Sequence, residues 1–302
     1  MKKSVISQCA VFAILTALLL TGCTDEPMTE ADTETRLAAA ESMTQADTEP
    51  RLAAAEVYDE SDALTKDYDF CYTGNLLTEV KSKTYDQGGS SAFNTVLTYD
   101  ADGRLVSKIS ADPDMPDINS GRENTYNGSG QLVSSRSWEG GVIETDYEYD
   151  AAGNLIREVE EYDAGSTITE YWYREDGVLS AATATQNLTW TGEAWTETIA
   201  YAYDAEGRLY QMSCTGGSAD SVTTYSYEYR PFILSERTDG SGHSNIYLYL
   251  EDDHGQTLYS IVLFNPVLQT DADGYLASVS DSTYFGESLH YLFRYDDVPA
   301  GA

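Results

Sequence analysis

The sequence predicts an all-β protein, an antiparallel meander of repeated β-hairpins, elongated or curled, preceded by a signal peptide and a disordered or partly helical tether. Three observations carry this expectation. A motif of Tyr, Asp or a substitute, two residues, Gly, one residue and Leu recurs, most clearly in TYDADGRLVSKIS (98–110), EYDAAGNLIREVE (148–160) and AYDAEGRLYQMS (202–213). Upstream of one copy, Thr145, Tyr147 and Tyr149 alternate with Glu144, Asp146 and Glu148, a period of two that sends aromatics to one strand face and carboxylates to the other. The composition, 24 Tyr, 23 Gly and 7 Pro at 41% hydrophobic, is too aromatic for a disordered acidic chain and too poor in Leu and Ile for a helical bundle.

Residues 1–22 read as an export signal. Lys2 and Lys3 supply a positive start, and an apolar stretch from Val11 to Leu20 is too short to span a bilayer and lacks a basic stop-transfer cluster. Leu20-Thr21-Gly22-Cys23 resembles the bacterial lipobox, which implies that Cys23 becomes the acylated first residue of the mature chain. Thr24, in place of Asp, resembles the pattern for outer-membrane sorting. The expected localisation is therefore the cell envelope, as an outer-membrane lipoprotein facing either the periplasm or the outside. Its partner there is the membrane, through the lipid on Cys23.

Residues 23–66 read as a lipidated acidic tether. MTEADTETRLAAAES (28–42) is followed by MTQADTEPRLAAAEV (43–57), a tandem duplication with a period of 15. The RLAAAE portions favour helix by propensity, while Pro50 and the Thr/Asp alternation favour a fluctuating spacer. As a flexible coil it would span on the order of 35 Å.

The remainder, 67–298, is the predicted repeat domain. Gly103, Gly130, Gly153, Gly177 and Gly207 mark successive units at separations of 27, 23, 24 and 30 residues, and a second set of Gly-rich turns falls between them. In Tyr99-Asp100-Ala101-Asp102-Gly103-Arg104-Leu105 the aspartate can accept N–H bonds across a tight turn and the glycine supplies positive φ. Two turns per repeat produce a meander of hairpins closed by glycine bulges. Tyr99, Asp100, Gly103, Arg104 and Leu105, and again Tyr203, Asp204, Gly207, Arg208 and Leu209, resemble the YD or RHS repeat family. The resemblance implies a β-sheet array of the kind that builds the shells of toxin complexes. Some nine units are too few to enclose a folded domain, so the architecture is carried over and the toxin function is not.

With 51 Asp plus Glu against 17 Lys plus Arg, the formal charge of −34 excludes nucleic acid as a partner by repulsion. Cys9 leaves with the signal, which makes Cys71 and Cys214 the candidate disulfide in an exported compartment; sequence alone leaves open whether they meet. In a straight array they would stand on the order of 50 Å apart, so a bridge requires a curled sheet. Trp138, Trp172, Trp190 and Trp195 are ligand candidates, with Trp190 and Trp195 flanking a turn as a cross-strand pair. Asp112, Asp114, Asp117 and Asn119 have the oxygens calcium needs, but Met115-Pro116 breaks the register, so no metal site and no cofactor are expected. His243, His254 and His290 lack metal-ligand spacing, no catalytic motif is present, and the chain is not expected to be an enzyme. The expected function is a non-catalytic structural or binding module of the envelope. Two alternatives stand beside it: a carbohydrate-binding surface protein with aromatics gathered on one face, and an accessory or immunity-like partner of a larger RHS system with a protein ligand.

Overall fold

The structure, a computed structural model, describes residues 50–296 apart from 87, 88, 139, 218, 219, 243, 253, 254 and 283–287. The signal segment, Cys23 and the tether as far as residue 49 lie outside the described residues, as do His243 and His254.

Among the described residues the chain is all-β. Its strands are β1 (Arg51–Tyr58), β2 (Leu64–Thr73), β3 (Leu76–Asp86), β4 (Gly89–Tyr99), β5 (Leu105–Asp112), β6 (Met115–Tyr126) and β7 (Leu132–Trp138). They continue through β8 (Val142–Tyr149), β9 (Leu155–Tyr162), β10 (Gly165–Tyr173), β11 (Leu179–Leu188), β12 (Ala194–Tyr203) and β13 (Leu209–Thr215). The last are β14 (Ser221–Tyr229), β15 (Phe232–Asp239), β16 (Ser244–Glu251), β17 (Thr257–Leu263), β18 (Val267–Thr270), β19 (Leu276–Ser282) and β20 (Ser288–Asp296). All belong to one antiparallel sheet.

The predicted turn chemistry is present in detail. Asp100 Oδ1 accepts the N–H groups of Asp102 and Arg104 at 2.9 and 3.0 Å, Gly103 N–H donates to the Asp100 carbonyl at 3.1 Å, and Gly103 sits at φ +80°. The register slips by one residue between Thr98 and Tyr99, which is the bulge the motif implies. Asp150, Asp204 and Asp271 repeat the pattern. Several units are also stitched to the one before. The hydroxyls of Tyr99, Tyr126 and Tyr173 donate to the main-chain carbonyls of Leu77, Leu105 and Leu155 at 2.7, 2.9 and 2.8 Å.

The array begins earlier than the predicted boundary at 67, because β1 and the start of β2 occupy residues assigned to the tether. The turn between them, Tyr58-Asp59-Glu60-Ser61-Asp62-Ala63-Leu64, is an unrecognised first copy of the motif. Asp59 Oδ1 accepts from the Ser61 and Ala63 N–H groups, and Asp62 takes the glycine's place at φ 60°. Without a glycine the copy does not stand out in the sequence, and Asp is among the few other residues that tolerate the left-handed region.

Consecutive strands pair from β1 to β17. β1 also pairs with β20, β20 with β19, and β19 with β18, so the order in space is β18-β19-β20-β1-β2 and onward to β17. Of the two expected shapes the curled one is found, as an open scroll. Leu248, Leu250, Ile261 and Leu263 of β16 and β17 pack with Leu52, Ala55 and Val57 of β1, Val80 of β3, Leu97 of β4, and Val279 and Phe293 of β19 and β20. Register places these β16–β17 residues on the face opposite Tyr225, Ser235, Tyr247 and Tyr249. Thus the outer face of the last hairpins lies against the inner face of the first ones. Tyr259 meets Tyr68 and Phe70 edge-on at 5.4 and 5.3 Å, and Phe232 meets Phe293 at 5.3 Å.

A degenerate motif closes the overlap. The β14–β15 tip, Tyr229-Arg230-Pro231-Phe232, lacks the glycine, and its backbone docks on the start of β19 instead. Arg230 N–H donates to Gly274 O at 3.2 Å and Leu276 N–H donates to Arg230 O at 2.8 Å.

Candidate functional site on the inner face

In the middle of the array the inner face changes from apolar to polar. Cross-strand register lines up Thr145, Glu160, Thr167, Gln186 and Trp195 as one row across β8 to β12, with Tyr147, Glu158, Thr169, Ala184 and Glu197 as the next. These rows lie between the large core of the overlap and a second cluster formed by Ala182, Ile199, Met212 and Cys214.

Arg122 of β6 reaches into this region. Its Nε donates to Asn124 Oδ1 at 3.0 Å, and a terminal nitrogen donates to Ser135 Oγ and Tyr147 Oη at 3.1 and 3.0 Å. Glu158 is buried and accepts the Tyr171 hydroxyl at 2.7 Å. Burial raises its carboxyl above the ordinary range, against the lowering effects of Tyr171 and Arg122. Glu160, two residues along on the same face, is pushed up to about 7 by burial and by the charge of Glu158, with Arg122 opposing. The same two influences put the phenol of Tyr171 far above its usual range. Chemically the patch offers an arginine engaged by neutral partners and a carboxyl that holds its proton near neutrality.

Sequence reasoning missed Arg122, Glu158 and Glu160. Strand alternation held on β8, where Thr145 and Tyr147 are buried and Glu144, Asp146 and Glu148 are exposed. On β9 the sequence REVEEY carries acids in both parities, and which parity faces inward depends on the pairing Tyr147↔Glu158. That pairing belongs to the folded sheet, and the β9 sequence alone does not select the parity.

The sequence-derived candidates are scattered. Cys71 of β2 is half-buried and lies on the face opposite buried Phe70. Cys214 of β13 is buried in the second cluster, and no disulfide joins the two. Curling, which a bridge would have required, is achieved by apolar overlap instead. The tryptophans do not gather on one face. Trp138 and Trp172 share the outer face; Trp138 donates to Asn119 Oδ1 at 2.7 Å and lies under the Arg136 guanidinium at 5.9 Å. Trp195 is on the inner face opposite Gln186, and Trp190 is exposed in the turn, so the expected cross-strand pair is not formed. Asp112 accepts from the Asp114 N–H at 2.8 Å, and Asn119 donates to Pro116 O at 3.0 Å, which is turn chemistry. His290 lies beside Ser280 at 3.0 Å on the β19–β20 pair. A shallow concavity of about 420 Å³ is lined by Lys66, Ser82, Ser91, Phe93, Asp112 and Met115; of the candidates only Asp112 borders it.

No protein-family model matches the chain, and no curated protein does. Among solved structures, the crystal structure of TcdB2-TccC3-Cdc42 is similar at 12% identity and a TM-score of 0.31, over 82% of this chain and 18% of that one. A porin-like protein from Bacteroides uniformis is similar at 11% identity and a TM-score of 0.29, over 81% of this chain and 96% of that one.

Proposed function

We propose that the protein is a membrane-anchored lipoprotein, acylated on Cys23, whose β-array is a non-catalytic structural or binding module of the cell envelope. The observation that carries the reading is how the repeat's chemistry-bearing side chains are used. Aspartates are engaged by turn N–H groups, tyrosine hydroxyls by leucine carbonyls, and arginines by neighbouring units. Arg104, for example, pairs with Asp100 at 2.7 Å and lies over the Tyr126 ring at 5.1 Å, and Arg208 lies over Tyr227 at 5.1 Å. Residues that would supply acid, base or cation in a reaction thus build a scaffold. For a binding role the fitting place is the β18 edge. Among the described residues β18 pairs with β19 alone, and Val267 on it is 61% exposed, so an added strand would find unpaired backbone groups there.

The test is fractionation of cells expressing the full chain or its Cys23→Ser variant, combined with labelling by a fatty-acid analogue. The expected result is a labelled, membrane-bound parent and an unlabelled variant released from the membrane. An unlabelled parent, or a variant that stays membrane-bound, overturns the anchor.

A further inference from the structure

Strand β1 is the second copy of the tandem duplication. Its segment Arg51-Leu52-Ala53-Ala54-Ala55-Glu56 is repeated without change at Arg36-Leu37-Ala38-Ala39-Ala40-Glu41. We propose that the slot between β2 and β20 is a binding site for this six-residue segment and that the chain carries two occupants for it: residues 51–56, and residues 36–41, which replace them when they leave.

The slot reads features that both copies share. Its main-chain ladders, Ala54↔Asp69 to Val57↔Lys66 on one side and Arg51↔Asp296 to Tyr58↔His290 on the other, are blind to side chains. Arg51 donates to Gly74 O and Asn75 Oδ1 and lies over the Tyr72 ring at 5.5 Å. Leu52 is 1% exposed, and Ala54 and Ala55, on opposite faces of the strand, are both buried. Glu56 accepts from Arg294 at 2.7 Å. Arg36, Leu37, Ala39, Ala40 and Glu41 supply the same groups in the same order.

The copies differ where preference has to be set. In the alternative register Ser42 takes the place of Val57, which is 4% exposed, and Met43 that of Tyr58, whose hydroxyl donates to Glu56 at 2.7 Å. Both differences favour residues 51–58 as the ordinary occupant. The connection to β2 lengthens from the tight turn at Asp59 to a loop of some twenty residues, a cost that grows only logarithmically with length. The exchange moves the start of the array 15 residues toward Cys23. On the proposed anchor, which the exchange itself does not require, the module would then have two standing heights above the membrane.

The test uses the full chain with Leu37→Asp, Leu52→Asp and both together, read by thermal unfolding and by peptide-resolved hydrogen exchange. L37D is expected to melt with the parent. L52D is expected to keep a cooperative transition above that of the double variant, with exchange at 36–41 slowed at least about tenfold relative to the parent. Melting of L52D together with L37D/L52D, at whatever temperature, overturns the proposal. So does L52D without new protection at 36–41.

Discussion

The hydroxyl of Tyr149 donates to the main-chain carbonyl of Leu132 at 2.8 Å, joining the tyrosine of one repeat to the leucine of the repeat before it. Tyr227 with Leu209 at 3.0 Å and Tyr295 with Leu276 at 2.8 Å repeat the relationship. Burial pushes the Tyr149 phenol up to about 12, so it keeps its proton and stays a donor at neutral pH. Two residues of the motif, its tyrosine and its leucine, are therefore the two ends of one inter-unit bond.

Tyr149→Phe removes the donor while keeping the ring. The Leu132 carbonyl loses its hydroxyl partner, and stability is expected to fall by about 1 kcal/mol in urea unfolding, with the slope unchanged. Removal of the exposed hydroxyl of Tyr210, outside the clasp position, is expected to change little.

Gly103 separates backbone strain from crowding. It sits at φ +80° and an added Cβ would meet nothing within 4 Å, so the cost of Gly103→Ala comes from the dihedral alone. A loss of about 1–2 kcal/mol is expected for G103A and a smaller one for G103N, since Asn visits the left-handed region more readily. Equal losses would show that the turn does not hold this conformation.

How legible these features were follows from their range. Turn aspartates and glycines act within five residues, so they read directly from the motif. The curl acts between strands far apart in sequence, and the motif leaves it open. A trace of it exists in Asn245-Ile246-Tyr247-Leu248-Tyr249-Leu250: Tyr247 and Tyr249 take one face and Ile246, Leu248 and Leu250 the other. A strand apolar in both parities is a strand covered on both faces. The inner-face acids were illegible for a related reason, because a carboxylate such as Glu158 reads as solvent-facing until its cross-strand partner Tyr147 is known.

Glu160 makes the protein's stability fall with rising pH in one window. Its folded-state value near 7 lies above the unfolded value near 4.5, so the folded state holds the proton more tightly, and stability is lost as pH rises from about 4.5 through 7. Glu160→Gln removes the effect. Above pH 7.5 the variant is expected to be more stable than the parent by on the order of 1–2 kcal/mol, allowing for partial exposure, and the gap closes toward pH 4.5. Urea titrations across that range check it; a gap independent of pH would assign the difference to packing. Asp150 works in the opposite direction, since the Asn154 side chain and turn N–H groups hold its carboxyl below the ordinary range, and its contribution is lost on acidification.

The two thiols should differ in rate. Cys71 is half-buried on the outer face and Cys214 is buried among Ile199 and Met212. Without reductant, alkylation followed by intact mass is expected to show one rapid addition at Cys71, and a second at Cys214 only when denaturant is added. A native mass that takes no label until reductant is present would mean that the scroll admits a bridge.

Pairing of β1 with β20 has a consequence for biosynthesis. The segment that leaves the ribosome early acquires its second neighbour only when residues 288–296 have been made, so Leu52 cannot be fully buried before then. Hairpins in the middle of the chain can form as they emerge, but the ring of contacts at Leu52 waits for the last strand. A chain cut short before β20 would keep its local turns and still present an open, sticky flank, which gives a protease or chaperone a simple way to tell a finished molecule from a fragment.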